Sequence, residues 1–138
     1  MPLMLLIVEN EAALREAWRK LLAKDHHVVF PAATCDEAIE LMSRHFFNAA
    51  IIDWNLSPFA PELTPRGCRG TDLVHRVPRG TAIYMVSGYP LDQVNPFDRI
   101  EMTLTKPLDW PLMRHLLARL EERVKPQDER TPPSGTKV

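Results

Sequence analysis

The sequence predicts an α/β domain built on a doubly wound, five-stranded parallel sheet. Short apolar runs alternate with amphipathic helical patterns along most of the chain, and such alternation implies a parallel sheet covered on both faces. The runs are continuously apolar rather than alternating, as expected of strands buried on both sides. The chain has 138 residues, of which 45% are hydrophobic and 25% charged, enough for one domain with a substantial core.

The elements follow in order. LMLLIV, Leu3 to Val8, is the first strand, stopped by Glu9, Asn10 and Glu11. EAALREAWRKLLAKD follows as a helix with Leu14, Trp18, Leu21 and Leu22 on one face, and Trp18 reads as core. Glu11 suits the helix start through the macrodipole. HHVVFPAA is a weaker strand whose Pro31 indicates an edge position or the strand's end. On that strand the adjacent His26 and His27 face opposite ways and read as surface residues.

TCDEAIELMSRHF opens with Thr34 and carries Glu37 three residues on, a capping-box pattern. Its core face follows Ala38, Leu41, Met42 and His45 or Phe46. AAIID, Ala49 to Asp53, is the third strand. WNLSPFAPELTPRGCRG then reads as a long loop, with Pro58, Pro61 and Pro65 limiting its freedom. TDLVHRV is a short helix and TAIYMV the fourth strand. LDQVNPFDR is a poor helix, because Pro96 interrupts it.

IEMTLT is the fifth strand, ended by Lys106 and Pro107. Asp109 is placed to cap a last helix, with Trp110 packing at its start. That helix carries Leu112, Met113, Leu116, Leu117, Leu120 and Val124 at helical spacing. The domain therefore spans residues 1–124, and residues 125–138, KPQDERTPPSGTKV, have too little apolar surface to fold and read as a flexible tail or linker. Two sheet orders are compatible with this succession, and the doubly wound order 2-1-3-4-5 fits the element count.

Several function classes are disfavoured. The formal net charge is −1, with Lys and Arg spread along the chain, so no basic field points to nucleic acid. No apolar run reaches the roughly 18 residues that span a bilayer, and the start MPLMLLIVENE lacks the basic region of a signal peptide. Cys35 and Cys68 are far apart and form no CxxC; with no disulfide framework visible, a reducing cytoplasmic setting is expected. Nothing near Cys68 suggests an activated thiol. His45, His75 and His115 show no metal spacing.

The informative residues are those that end the strands. Glu9, Asn10 and Glu11 end the first, Asp53 the third, Ser87 the fourth and Lys106 the fifth. In a doubly wound sheet these ends share one edge, where ligands bind at the switch point between strands one and three. Acidic side chains supply oxygen ligands for a hard cation such as Mg²⁺. An aspartate can attack phosphorus to form an acyl phosphate. Lys106 and a metal would offset the phosphoryl charge, and Ser87 could hydrogen-bond a phosphoryl oxygen.

In LLIVENE, IIDWN, YMVSG and LTKP, in this order and at these distances, the chain resembles the receiver domain of two-component response regulators over about residues 3 to 124. The resemblance implies a flavodoxin-like (CheY-like) three-layer sandwich and a signalling switch rather than a turnover enzyme. It implies that Asp53 is the phosphoacceptor served by a histidine kinase or phosphotransfer protein, that Ser87 is the switch hydroxyl, and that Lys106, before a proline often cis in the family, is the site lysine. Mg²⁺ would be held by Glu9, Asn10, Asp53 and the backbone carbonyl of Asn55. Asn55 and Tyr89 would flank the water that hydrolyses the acyl phosphate. A downstream protein target is implied, with no direct role in nucleic-acid or membrane binding. Trp54, next to Asp53, is expected to be partly exposed and to report the site by fluorescence.

The sequence departs from the family pattern in four places. Receivers usually carry two adjacent acidic residues after the first strand, whereas this chain has Glu9 and then Asn10, so weakened Mg²⁺ binding is expected. Thr103 stands where the family usually has its switch aromatic. The loop from Ser57 to Gly70 is longer than the family's turn. Pro90 and Pro96 leave little room for a regular fourth helix, which alters the face the family often uses for dimers or targets. Asn10 and Thr103 keep open a second reading, a pseudo-receiver that binds proteins without regulated phosphorylation. A phosphatase of the haloacid-dehalogenase type also uses Asp, Ser or Thr, and Lys, but its nucleophile commonly follows the first strand in a DxD motif, whereas DWN follows the third.

Overall fold

The computed structural model describes residues 2–54, 70–88 and 100–124. The elements run β1 (Met4–Val8), α1 (Ala12–Lys24), β2 (Val28–Ala32), α2 (Cys35–Arg44), β3 (Ala49–Asp53), α3 (Gly70–Val74), β4 (Ala82–Ser87), β5 (Ile100–Thr105) and α4 (Trp110–Val124). All strand pairs are parallel, and the sheet order is β2-β1-β3-β4-β5. This is the predicted fold class. The edge position of β2 accommodates Pro31, which donates no ladder hydrogen bond. The segment 89–99, with Tyr89, Pro90 and Pro96, lies outside the described residues, as do Asn55, most of the loop from Ser57 and the tail 125–138.

The chain divides into two compact units, one of them Leu3–Leu108. Within it, side chains alternate across the sheet. Leu6, Val8, Ala50, Ile52, Ile83 and Met85 point to the face shared with Ala38 of α2 and Leu73 and Val74 of α3. The register sets Leu5 beside Ala49 and Ile7 beside Ile51, so these residues point the other way. On that side α1, lying against β1 and β2, brings the buried Trp18 and Leu22. Two helical layers thus enclose the sheet, as right-handed crossovers in this order require. In the other unit α4 begins with a capped turn: Asp109 Oδ1 accepts from Leu112 N (3.1 Å) and Asp109 O from Met113 N (2.9 Å).

The predicted capping at α2 is present with a shift. Thr34 Oγ1 accepts from Glu37 N (3.1 Å), while the Glu37 carboxylate reaches back to Ala33 N (2.6 Å), one residue before the cap. Cys35, the first residue of α2, is disulfide-bonded. This corrects the expectation of two unbridged cysteines, since separation along a chain says nothing about approach in space. The other cysteine, Cys68, lies outside the described residues.

The histidine pair also departs from expectation. Neither residue is in β2. His26 follows α1 in a left-handed conformation (φ 71°) and is exposed. His27 is buried, and its Nδ1 accepts from Leu3 N at 3.2 Å. Relieving the left-handed strain with His26→Gly is expected to raise unfolding free energy by about 0.5–1 kcal/mol. His27→Phe keeps a ring but removes the acceptor for a buried N–H, and is expected to cost about 1–3 kcal/mol. Urea unfolding of both variants checks the opposite signs.

Candidate functional site

The site is assembled by backbone hydrogen bonds at the carboxyl ends of the strands. Glu9 N donates to Ala32 O (3.0 Å), Trp54 N to Val86 O (2.7 Å) and Lys106 N to Ser87 O (2.6 Å). The residues after β1, β3 and β5 are therefore each tied to the end of a neighbouring strand. The Lys106–Pro107 peptide bond is cis. By alternation, Glu9, one residue past β1, and Asp53, the last of β3, share the face of Ile7 and Ile51. That is the face covered by α1.

Three of the predicted residues come together. Lys106 Nζ lies 3.1 Å from Glu9 Oε1 and 3.4 Å from Asp53 Oδ2. Glu9 and Asp53 are buried, at 1% and 4% exposure, and the Lys106 side chain is 25% exposed. Glu9 is held from both sides: its Oε2 accepts from Glu11 N (3.0 Å), and its backbone carbonyl accepts from Arg15 Nη1 (2.8 Å). Glu11 is the N-cap residue of α1, with extended backbone and no side-chain cap bond, and its carbonyl accepts from Arg15 N (2.9 Å). The turn after β1 thus hands the Glu9 carboxylate to Lys106 across 97 positions of sequence.

Ser87 is fully buried at the end of β4. Asn10 is partly exposed, next to Glu9. Thr103 lies on β5 and is half-buried. Trp54 is half-buried and packs against the core on the α2 and α3 side. Asn55 lies outside the described residues. Trp18 is core, as its helical spacing predicts, and its ring also lies under the Lys106 ammonium, 5.9 Å from Nζ to the ring centroid. No local pattern in the sequence signals that contact, because it depends on α1 crossing the face that carries Glu9 and Asp53.

Two buried carboxylates face one ammonium, and the Arg15 guanidinium lies on the Glu9 backbone carbonyl beside them. A pair of unit charges at 4 Å interacts by roughly 4 kcal/mol at an effective dielectric of 20, so each contact of Lys106 with a buried carboxylate is substantial before desolvation is subtracted. Among the described residues no group of three or more His, Cys, Asp or Glu could hold a metal ion. The structure brings two carboxylates together at this edge, Glu9 and Asp53, and Asn10 follows Glu9 in the chain. That suits Mg²⁺, which commonly takes one or two carboxylates, waters and phosphate oxygens.

Structural comparison places this architecture among known folds. The chain is similar to a CheY-like response regulator receiver domain protein from Methanospirillum hungatei (24% identity, 89% of this chain and 97% of that one, TM-score 0.71). It is also similar to a signal receiver domain from Vibrio parahaemolyticus (20%, 95% and 98%, 0.75). A third similar structure is the response regulator protein TrrA from Thermotoga maritima in complex with Mg²⁺-BeF (14%, 87% and 99%, 0.70). No protein-family model and no curated protein matches the chain. The fold is that of CheY-like receiver domains. Among the described residues no helix is long and apolar enough to cross a membrane.

Proposed function

We propose that this chain is a phosphoacceptor receiver domain of a two-component system over residues 3–124, with residues 125–138 as a tail or linker. The observation that supports it most is the Lys106 ammonium within 3.4 Å of the Asp53 carboxylate and 3.1 Å of Glu9, at the carboxyl edge of a 2-1-3-4-5 sheet. An Asp53 carboxylate oxygen attacks the phosphorus of a phosphohistidine on a partner kinase or phosphotransfer protein. The P–N bond breaks, its electron pair stays on the imidazole, and an acyl phosphate remains on Asp53. Lys106 offsets the charge of the incoming phosphoryl oxygens, and the Ser87 hydroxyl donates to one of them. Glu9, Asn10 and Asp53 would hold Mg²⁺, with a contribution expected from the Asn55 carbonyl. The bound metal would supply positive charge to the phosphoryl oxygens.

In this role the domain is a switch whose altered surface is read by a downstream protein. The expected setting is the cytoplasm, and the disulfide at Cys35 is the observation that weighs against a reducing compartment. Asn10 favours a second reading, a pseudo-receiver used as a protein-binding module. With an amide in place of a carboxylate, and Lys106 already paired to Glu9, the cluster could serve as a structural ion network.

Acetyl phosphate with Mg²⁺, followed by intact mass spectrometry, separates the two. A labile phosphoryl adduct on the wild-type chain, lost in Asp53→Asn, is the expected result. No adduct, together with a spectrum unmoved by beryllofluoride, would establish the pseudo-receiver instead.

A further inference from the structure

Lys106 has a third neighbour besides its two carboxylates. Its Nζ lies over the indole of Trp18, 5.9 Å from the ring centroid. Trp18 is 2% exposed, in the middle of α1, on the side of the sheet that carries Glu9 and Asp53. The face of an aromatic ring is electronegative and attracts an ammonium within about 6 Å, indole most strongly. Packing alone does not require an indole here. Leu14, Leu21 and Leu22 continue the same helical face with aliphatic side chains, and a leucine would satisfy the periodicity equally well. The indole adds attraction for a cation without adding charge. A third carboxylate at this position would have bound Lys106 more strongly but added another negative charge beside Glu9 and Asp53.

We infer that Trp18 is a positioning residue whose indole face holds the Lys106 ammonium at the Asp53 carboxylate. A quarter of the Lys106 side chain is open to solvent, and a flexible lysine stem gives its ammonium an outward route to water. The two carboxylates draw the ammonium inward, and the ring attracts it from a third direction. The consequence for phosphoryl transfer rests on the reading of Asp53 as phosphoacceptor; the contact itself does not.

The test uses the full chain labelled with ¹³C-lysine. In the wild type the Lys106 Hε protons are expected upfield of the other lysines, displaced by the indole ring current, with the signal identified by its loss in Lys106→Met. Trp18→Leu is expected to return them to the ordinary position, and Trp18→Phe to retain part of the displacement. In parallel, Trp18→Leu is expected to slow adduct formation from acetyl phosphate by roughly 2- to 30-fold, the span of a cation–π contact expressed as a rate. Trp18→Phe is expected to recover part of that loss, and the ring-current displacement of the Lys106 protons separates the contact from mere core filling.

Lys106 protons at the ordinary position in the wild type, or a Trp18→Leu variant that keeps the displacement, would overturn the inference. So would a Trp18→Leu rate equal to the wild-type rate. If Trp18→Leu does not fold, the wild-type displacement and its change in Trp18→Phe decide. If the wild type takes up no phosphoryl group, the receiver reading fails, while the ring-current measurement still decides whether Trp18 holds Lys106.

Discussion

Lys106→Met is expected to lower the unfolding free energy by about 2–4 kcal/mol. Removing one member of a buried ion cluster leaves the others uncompensated, which typically costs about 3–5 kcal/mol, and the partial exposure of Lys106 reduces that. Methionine keeps the length and most of the volume of the stem, so the loss reports charge rather than packing. Glu9 and Asp53 would then face each other across a buried edge with no ammonium between them. Adding Glu9→Gln to Lys106→Met removes one of the two charges and is expected to recover part of the loss. Urea unfolding of wild type, both single variants and the double variant closes a double-mutant cycle. A single Lys106→Met variant within 0.5 kcal/mol of the wild type, about the scatter of ordinary surface substitutions, would mean that the three groups do not form the cluster described.

Asn10→Asp is expected to tighten Mg²⁺ binding by roughly one to two decades. The upper bound is the ~4 kcal/mol of a unit charge pair at 4 Å and dielectric 20, which would be about three decades at 1.4 kcal/mol each. Repulsion from Glu9 and Asp53 consumes part of it, since a third carboxylate enters an edge that already carries two. The same repulsion predicts that the metal-free Asn10→Asp protein is less stable than the wild type, and that saturating Mg²⁺ reverses the difference through linkage. Calorimetric titration of both proteins with Mg²⁺, with melting temperatures measured with and without the ion, checks both statements. Equal affinities would show that position 10 does not face the ion.

Much of the architecture could be read from short stretches. The five apolar runs are five strands, and the strand ends name Glu9, Asp53, Ser87 and Lys106 in advance. Pro31 pointed to an edge position or a strand end, and β2 is an edge strand; Thr34 and Glu37 mark the start of α2, and Asp109 that of α4. These are local effects: a proline lacks its donor, a threonine hydroxyl reaches the N–H three residues on, and an apolar stretch seeks burial wherever it is placed. The histidine pair shows where such local reading stops. HHVVFPAA looks like one extended run, but His26 closes the turn after α1 with a positive φ, and His27 turns inward, where its Nδ1 accepts from the N–H of Leu3.

What the sequence by itself determined is therefore the kind and order of the elements and the polar residues that end four of the five strands, because secondary structure and burial respond to neighbours a few positions away. What only the tertiary structure decided is which of those polar groups touch. Glu9 rather than Asn10 meets Lys106, and the indole of Trp18 lies beneath the same ammonium. Those contacts depend on strand register and on the sheet face that α1 crosses, and both are set by the packing of the whole sheet rather than by residues near Trp18 or Lys106 in the chain.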